Sequence, residues 1–233
     1  MKPTLAQRIV AEGLGTAFLL AAVVGSGIMA AKLSGGNGAL ALLCNTLPTG
    51  AILTVLILTF GPLSGAHFNP AVSIALALRG ELAVWVAAIY VAAQVIGGIA
   101  GVLAAHVMFE LPLWQVSSTV RTGPGQWLAE AIATLGLLLT ILGCRANAPS
   151  AVPYAVGLYI TSAYWFTAST SFANPAVTIA RSLSDTFAGI APPGVAAFIG
   201  AQLVGMVVAI VLGRWLWGRA SHDGRASDIL PGA

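Results

Sequence analysis

Charged side chains are scarce in this chain of 233 residues. Asp, Glu, Lys and Arg make up 7% of the residues, against about 25% in soluble globular domains, and hydrophobic residues make up 58%. The mean hydropathy is +0.92. A soluble domain cannot hold so few charges and so many apolar residues. The composition therefore predicts an integral protein of the lipid bilayer.

Residues that bind metals or perform covalent chemistry are also few. The chain has two cysteines, Cys44 and Cys144, and its three histidines lie far apart, with no Cys-x-x-Cys motif. No disulfide is expected, and Cys44 is interpreted as a small apolar packing residue. Neither a metal-ligand spacing nor a nucleophile with its base is visible, so no metal, no cofactor and no enzymatic activity are predicted.

The basic residues indicate membrane topology and not nucleic-acid binding. They give a formal net charge of +3 but form no stripe along the chain. The positive-inside rule places loops rich in Lys and Arg in the cytoplasm. With the N-terminus inside, the cytoplasmic residues are Lys2, Arg8, Arg79, Arg145, Arg214, Arg219 and Arg225. The outer ones are Lys32, Arg121 and Arg181.

Apolar stretches of about 20 residues, the length of a spanning helix, recur along the chain. They predict six transmembrane helices at 7–31, 39–60, 82–109, 127–146, 152–168 and 193–217. An even number of spans places both termini in the cytoplasm, including a polar tail at 218–233.

The chain also repeats itself. A glutamate near the start of a span, Glu12 or Glu130, is followed by Asn-Pro-Ala and then by a glutamine, Gln94 or Gln202. The repeats are assigned to residues 1–115 and 127–217 of a single channel domain. The two tripeptides are Asn69-Pro70-Ala71 and Asn174-Pro175-Ala176.

The segments that follow the two tripeptides are too short to cross a membrane. About ten apolar residues follow Asn69 and about seven follow Asn174, whereas a span needs about 20. Asn is a strong N-cap and Pro is favoured at the first helical position, so half-helices are predicted at about 69–78 and 174–184. With three spans per repeat, the second half-helix enters from the opposite face, and the two N-termini meet near the midplane. The fold class is an all-α membrane protein with an inverted repeat.

Paired Asn-Pro-Ala motifs in a duplicated, nearly uncharged chain resemble the major intrinsic protein (aquaporin) family, over roughly residues 7 to 217. The resemblance implies a channel and a homotetramer with one pore per subunit. The expected location is the plasma membrane, the inner membrane in a bacterium. The lipid bilayer and small neutral solutes are the expected partners.

Several polar residues lie within the predicted spans or in the loops before the two motifs. Glu12 and Glu130 are predicted to be structural, accepting hydrogen bonds from the non-helical backbone before each motif. A functional carboxylate is the rival interpretation. Gln94 and Gln202 either approach the pore or pack between helices. His67 matches a pore-lining position of the family, with a hydrogen-bonded packing histidine as the alternative.

The family pattern also predicts the residues that narrow the pore. Most members carry an arginine directly after the second motif, where this chain has Val177. The remaining positions of the predicted selectivity filter fall on Thr49, Ser171 and Tyr164. Ser162 replaces Tyr164 if the loop before the second motif has its usual length.

A ring of Thr49, Tyr164, Ser171 and Val177 is expected to be wider and less cationic than a water filter. It favours a channel for water, glycerol-like polyols and metalloid hydroxides such as arsenous acid, As(OH)3. Such filters resemble the aquaglyceroporin-like channels linked to bacterial arsenic resistance. The alternatives are a mainly water-conducting channel, an ion-coupled transporter and a non-conducting structural protein.

Arg181 has two interpretations. On a half-helix it lies on roughly the same face as Val177, about 6 Å further out, where it adds charge to the outer vestibule. The favoured alternative is an exposed loop arginine that pairs with Asp185, four residues on.

Overall fold

The computed structural model describes residues 2–218, which form helices and no strand. The α-helices of this range are α1 (Leu5–Leu33), α2 (Gly38–Ser64), α3 (Pro70–Leu78), α4 (Val84–Met108), α5 (Pro124–Asn147), α6 (Val152–Phe166), α7 (Pro175–Arg181) and α8 (Pro192–Trp217). Arg219, His222, Arg225 and the predicted tail beyond Gly218 lie outside the described residues.

Five helices, α1, α2, α4, α5 and α8, are long and apolar enough to cross a membrane. They coincide with the first four predicted spans and the sixth. The fifth predicted span, 152–168, is the 15-residue helix α6. It begins at its predicted start, after a 3-10 turn at Pro149–Ala151, and ends two residues before its predicted end because Thr167 leaves the helix with extended backbone. The predicted all-α membrane architecture is confirmed, with a shorter fifth span.

The short helices α3 and α7 are the predicted half-helices. Nine and seven residues long, they rise about 1.5 Å per residue and cannot cross a hydrocarbon core of about 30 Å. The Asn69 side chain caps α3 by accepting a hydrogen bond from the Ala71 N–H at 2.9 Å. Asn174 caps α7 in the same way, from the Ala176 N–H at 3.0 Å. The second half-helix ends three residues before its predicted end at 184 because the chain turns at Ser182.

The long helices pack as two equivalent sets. Helix α1 packs on α4, α5 packs on α8, and α2 contacts α6 between the repeats. Glycine allows these helices to approach closely, because a Cβ at Gly97 would collide with the Gly13 carbonyl oxygen. A Cβ at Gly50 of α2 would likewise collide with the carbonyl of Gly157 on α6. We call the end of the bundle where α1 begins and α8 ends the inner end, and the opposite end the outer end.

Each half-helix joins an apolar core with helices of the other repeat. Ala71, Val72 and Leu76 of α3 pack with buried residues of α5, α6 and α8. Val177 and Ala180 of α7 pack with buried residues of α1, α2 and α4. The two repeats are therefore interlocked, and neither core is complete without the other half.

The outer surface of the bundle is apolar, with aromatic side chains at both ends. Trp85 and Trp215 are exposed at the inner end, and Trp165 is exposed at the outer end. Such aromatic belts are typical of the membrane–water interface. Cys44 is also exposed on this surface, so its interpretation as a packing residue is wrong. The helical periodicity of α2 turns it away from the neighbouring helices.

Candidate functional site

A cavity runs through the bundle where α3 and α7 meet. Its volume is about 350 Å³. Its wall includes Glu81 and Arg145 at the inner end and Arg181 at the outer end. Asn69 and Asn174 line it where the half-helices meet. The cavity therefore connects the two ends of the bundle past both Asn-Pro-Ala motifs.

The two asparagines hold the half-helices together. The Asn69 side-chain amide donates to the Ala173 carbonyl oxygen at 2.8 Å, and the Asn174 amide donates to the Phe68 carbonyl oxygen at 2.8 Å. These reciprocal bonds use one N–H of each amide. The second N–H of each amide remains available to a molecule in the cavity.

The loops that enter the half-helices have strained backbone. Ala66 and Phe68 adopt positive φ angles of 50° and 49°, and Ser171 and Ala173 adopt 49° and 47°. This left-handed conformation costs a non-glycine residue about 1–2 kcal/mol. It also leaves backbone N–H groups outside any helical ladder, so other groups must accept their hydrogen bonds.

In the first repeat, Glu12 accepts these hydrogen bonds. Its carboxylate is fully buried and accepts from the backbone N–H groups of His67 at 2.9 Å and Phe68 at 2.7 Å. The Ser64 hydroxyl and the Gln94 amide also donate to it, at 2.6 and 2.8 Å. Gln94 is buried behind the loop and is absent from the cavity wall.

The second repeat has the same arrangement around Glu130. Its buried carboxylate accepts from the backbone N–H groups of Phe172 at 2.8 Å and Ala173 at 2.9 Å. The Gln202 amide donates to Glu130 at 2.6 Å and to the Thr178 hydroxyl at 2.9 Å. Both glutamines therefore belong to buried networks behind the loops, a choice that the sequence left open.

His67 lies on the cavity wall and is also packed. Its Nδ1 is 3.0 Å from the Ser73 hydroxyl, and its ring meets the Tyr90 ring edge to face at 5.4 Å. The two interpretations of His67 from the sequence thus describe different sides of one imidazole.

The four predicted filter residues all lie on the cavity wall. Thr49, Tyr164, Ser171 and Val177 all line it, and the Tyr164 hydroxyl lies 3.4 Å from the Thr49 hydroxyl. Tyr164 is 3% exposed. The alternative residue, Ser162, is exposed on the outer surface of α6 and does not line the cavity.

Arg181 does not form the predicted ion pair with Asp185. Helix α7 ends at Arg181 and the chain then turns, so Asp185 is not one helical turn further along the same face. Asp185 instead accepts from the Ser118 N–H and hydroxyl, each at 2.8 Å. These bonds, the backbone one foremost, hold the pKa of Asp185 below its usual value. Arg181 is 2% exposed, so the prediction of an exposed loop arginine is wrong.

The Arg181 side chain points into the molecule. Its Nε donates to the Ala188 carbonyl oxygen, and its guanidinium carbon lies 3.4 Å from the centre of the Phe172 ring. Arg181 and Phe172 both line the outer part of the cavity. The outer part therefore contains a guanidinium group, although residue 177 is apolar.

A small network of charges lies at the inner end. Glu81 binds Arg79 at 2.6 Å and Arg145 at 2.7 Å. Among residues 2–218, no three His, Cys, Asp or Glu side chains cluster closely enough to hold a metal ion. The chemistry that this arrangement offers is hydrogen bonding along a cavity.

Comparison with known proteins gives the family. A family model described as Major intrinsic protein matches residues 1–151, which is more than half of the chain. The chain belongs to the major intrinsic protein family.

Members of this family match the chain over most of its length. It is 58% identical over 212 residues to aquaglyceroporin AqpS of Rhizobium meliloti, covering 91% of each chain. It is 29% identical to aquaporin Z of Bradyrhizobium diazoefficiens, covering 90% of this chain and 93% of that protein. The X-ray structure of the aquaglyceroporin from Plasmodium falciparum has the same fold, with a TM-score of 0.68 at 23% identity, covering 90% of this chain and 95% of that one.

Two parts of the major intrinsic protein site escaped the sequence prediction. Phe172 occupies the place in the second repeat that His67 has in the first, two residues before the asparagine, and this spacing was a usable signal. The inner half of the cavity has an apolar wall that no motif marks. It consists of Leu76, Leu82, Leu137, Ile141, Val152, Val156 and Ile160.

Proposed function

We propose that the protein is a passive channel for small neutral solutes and that it excludes ions and protons. The observation that carries this proposal is the cavity past both motifs, with Thr49, Ser171 and Val177 as small side chains at its outer part. Water, glycerol-like polyols and metalloid hydroxides such as arsenous acid are the proposed solutes.

The half-helices supply the electrostatics of this channel. The N-termini of α3 and α7 meet at Asn69 and Asn174, and a helix N-terminus carries a partial positive charge of about half an elementary charge. Two such ends and two free amide N–H groups favour a solute oxygen and repel a cation. A neutral hydroxylated molecule exchanges its water contacts for these donors, whereas a cation or a proton meets a barrier.

The shape of the wall supports a solute larger than water. The apolar inner wall accommodates the carbon side of a polyol, and the loop residues on the cavity wall accommodate its hydroxyl groups. Arginine is absent at position 177, where an apolar Val177 occupies less of the channel. Two similar proteins have names that refer to such solutes, the aquaglyceroporin AqpS and a probable glycerol uptake facilitator of Thermotoga maritima, 30% identical over 171 residues.

The buried carboxylates argue against ion-coupled transport. Glu12 accepts four hydrogen bonds from the protein and Glu130 accepts three. A carboxylate engaged in this way is not free to exchange a proton or a sodium ion during a transport cycle. Solute flux that depends on an ion gradient would contradict the channel.

Val177→Arg tests the proposed filter. The long cationic side chain narrows the outer part of the cavity, and a barrier higher by about 1.4 kcal/mol slows a flux about tenfold. We therefore expect glycerol and arsenous acid uptake to fall about tenfold or more, with water permeability nearly unchanged. Stopped-flow light scattering on proteoliposomes measures all three permeabilities on one preparation.

Val177→Leu is the matched control, because it adds bulk without charge or hydrogen-bond donors. We expect it to reduce solute uptake less than Val177→Arg does. Solute uptake that is unchanged in a well-folded Val177→Arg variant would refute the filter assignment. A wild-type protein that passes water but no glycerol and no arsenous acid would favour the mainly water-conducting channel.

We further propose that the protein lies in the plasma membrane as a homotetramer, with the inner end in the cytoplasm. The inner end carries Arg8, Arg79, Arg145 and Arg214, as the positive-inside rule requires of a cytoplasmic face. A tetramer would cover part of the exposed apolar surface of the bundle. Light scattering that gives the mass of one 23.6 kDa chain in mild detergent would contradict the tetramer.

A further inference from the structure

Arg181 offers a hydrogen-bond donor that no protein group uses. Its Nη1 is buried and has no acceptor within residues 2–218. The Ser171 hydroxyl is also buried without a partner in that range, and both residues line the outer part of the cavity. Leaving a buried polar group unpaired costs about 1–3 kcal/mol, so such groups normally face a ligand or water.

The charge of Arg181 also has no carboxylate partner. Across the described residues, the ion pairs of arginine involve only Glu81, at the inner end of the cavity. Asp185, the nearest acid in the sequence, is held by Ser118. Burying a charge without a partner costs free energy of folding. The position of the Arg181 guanidinium on the cavity wall therefore indicates a functional role.

A second arginine near the same aromatic ring shows what a purely structural role looks like. Arg121 lies 5.2 Å from the centre of the Phe172 ring. Its Nε donates to Gly189, its Nη1 to Ser169 and its Nη2 to Phe187, all at carbonyl oxygens 2.8 to 3.4 Å away. Arg121 does not line the cavity. In Arg181 the Nε donates to the loop, and the guanidinium group beyond it lies against the Phe172 ring and the Tyr164 hydroxyl, while its Nη1 has no acceptor among residues 2–218.

We infer that Arg181 supplies the guanidinium group that the filter lacks at position 177, and that Arg181 and Ser171 together bind the oxygen atoms of a passing solute. The site offers two donors without a protein partner, which suits a molecule with two neighbouring oxygens, such as a vicinal diol or a metalloid hydroxide. The same positive charge excludes cations one helical turn outside Val177. This inference rests on the proposed channel function.

The test moves the guanidinium by one helical turn. Purified Arg181→Val protein in proteoliposomes is expected to leak sodium ions and protons at least tenfold faster than wild type, as measured with ion-sensitive dyes. Adding Val177→Arg, to give the double variant, is expected to return the leak close to the wild-type value. A merely structural arginine would not be replaced by one at another position.

Two further variants separate charge from solute binding. Ser171→Ala is expected to lower the ratio of glycerol to water permeability several-fold without a cation leak. Arg121→Val serves as the matched control, since it removes a guanidinium near Phe172 that does not line the cavity, and its folded fraction is expected to exclude cations as wild type does.

The inference is overturned if folded Arg181→Val protein excludes cations as wild type does, or if the double variant leaks as much as Arg181→Val. Should Arg181→Val yield no folded protein, Arg181→Lys is measured instead. Lysine keeps the charge but lacks the second nitrogen, so cation exclusion should persist while the glycerol to water ratio falls, and wild-type values of both overturn the inference. Failure of the proposed function itself is distinguishable, because wild-type protein would then pass no glycerol and no arsenous acid.

Discussion

At the scale of single residues, two buried glutamates determine whether the loops before the half-helices can form. Each carboxylate accepts two consecutive backbone N–H groups of a loop whose φ angles alternate into the left-handed region. Both carboxylates are fully buried behind the loops, so water does not replace them as acceptors. The glutamates therefore stabilise the backbone that positions Asn69 and Asn174.

Replacing Glu130 with alanine is expected to cause a loss of folded protein and not a change of selectivity. The substitution leaves the N–H groups of Phe172 and Ala173 unsatisfied, at about 1–3 kcal/mol each. Size-exclusion chromatography and thermal unfolding in detergent measure the effect. Glu110→Ala is the matched control, because Glu110 is an exposed acid at the end of α4, and it should behave as wild type. Well-folded Glu130→Ala protein with an altered solute preference would show that the carboxylate has a functional role.

Arg181 shows where a prediction from residue spacing fails. The sequence favours an exposed loop arginine that pairs with Asp185, four residues on. The pairing does not form because Ser118 binds Asp185 and Arg181 is buried over the Phe172 ring. The fold thus places on the cavity wall an arginine that its spacing assigned to the surface.

At the scale of helices, glycines determine how closely the two repeats approach. Gly50 on α2 faces Gly157 and Thr161 on α6, with no room for a Cβ. Gly61, on the same helix, has open space around it. Two glycines of one helix therefore experience opposite environments.

This difference predicts unequal effects of the same substitution. Gly61→Ala should change the free energy of unfolding by less than about 1 kcal/mol, because the helix preference of alanine is opposed by crowding of its Cβ against Pro62. Gly50→Ala should lower it by about 1–3 kcal/mol, because overpacking forces α2 and α6 apart. Thermal unfolding of both variants in one detergent provides the comparison. Equal stability of the two would mean that the contact between α2 and α6 is looser than described.

At the scale of the whole molecule, the arginines at the inner end predict its orientation. Lys32→Cys, near the outer end, should react with a membrane-impermeant maleimide in intact cells, and Ser150→Cys, near the inner end, should react only after the cells are opened. Both are introduced after Cys44 and Cys144 are replaced by serine. Labelling of Ser150→Cys alone in intact cells would reverse the proposed orientation.

Much of this molecule was predictable from the sequence, because the bilayer imposes strong constraints. Spans of apolar residues, a duplicated Glu, Asn-Pro-Ala and Gln pattern, and segments too short to cross the membrane lead to six long helices and two half-helices. The caps at Asn69 and Asn174 followed from local chemistry alone, since Asn before Pro favours a helix start. The start of α6 at residue 152 also agrees with the predicted span, and only its end, two residues earlier than predicted, did not follow, because the backbone becomes extended at Thr167.

Composition and motif spacing are enough to predict the membrane fold, the paired motifs and the apolar residue at position 177. The packing of the helices is needed to show which side chains share the outer part of the cavity. Tyr164 is buried in the cavity wall, whereas Ser162, two residues earlier, is exposed on the outer surface of α6. Arg181 lies over the Phe172 ring. The direction of a side chain near a helix end depends on where that helix stops and on which residues pack against it. The spacing of a motif predicts neither.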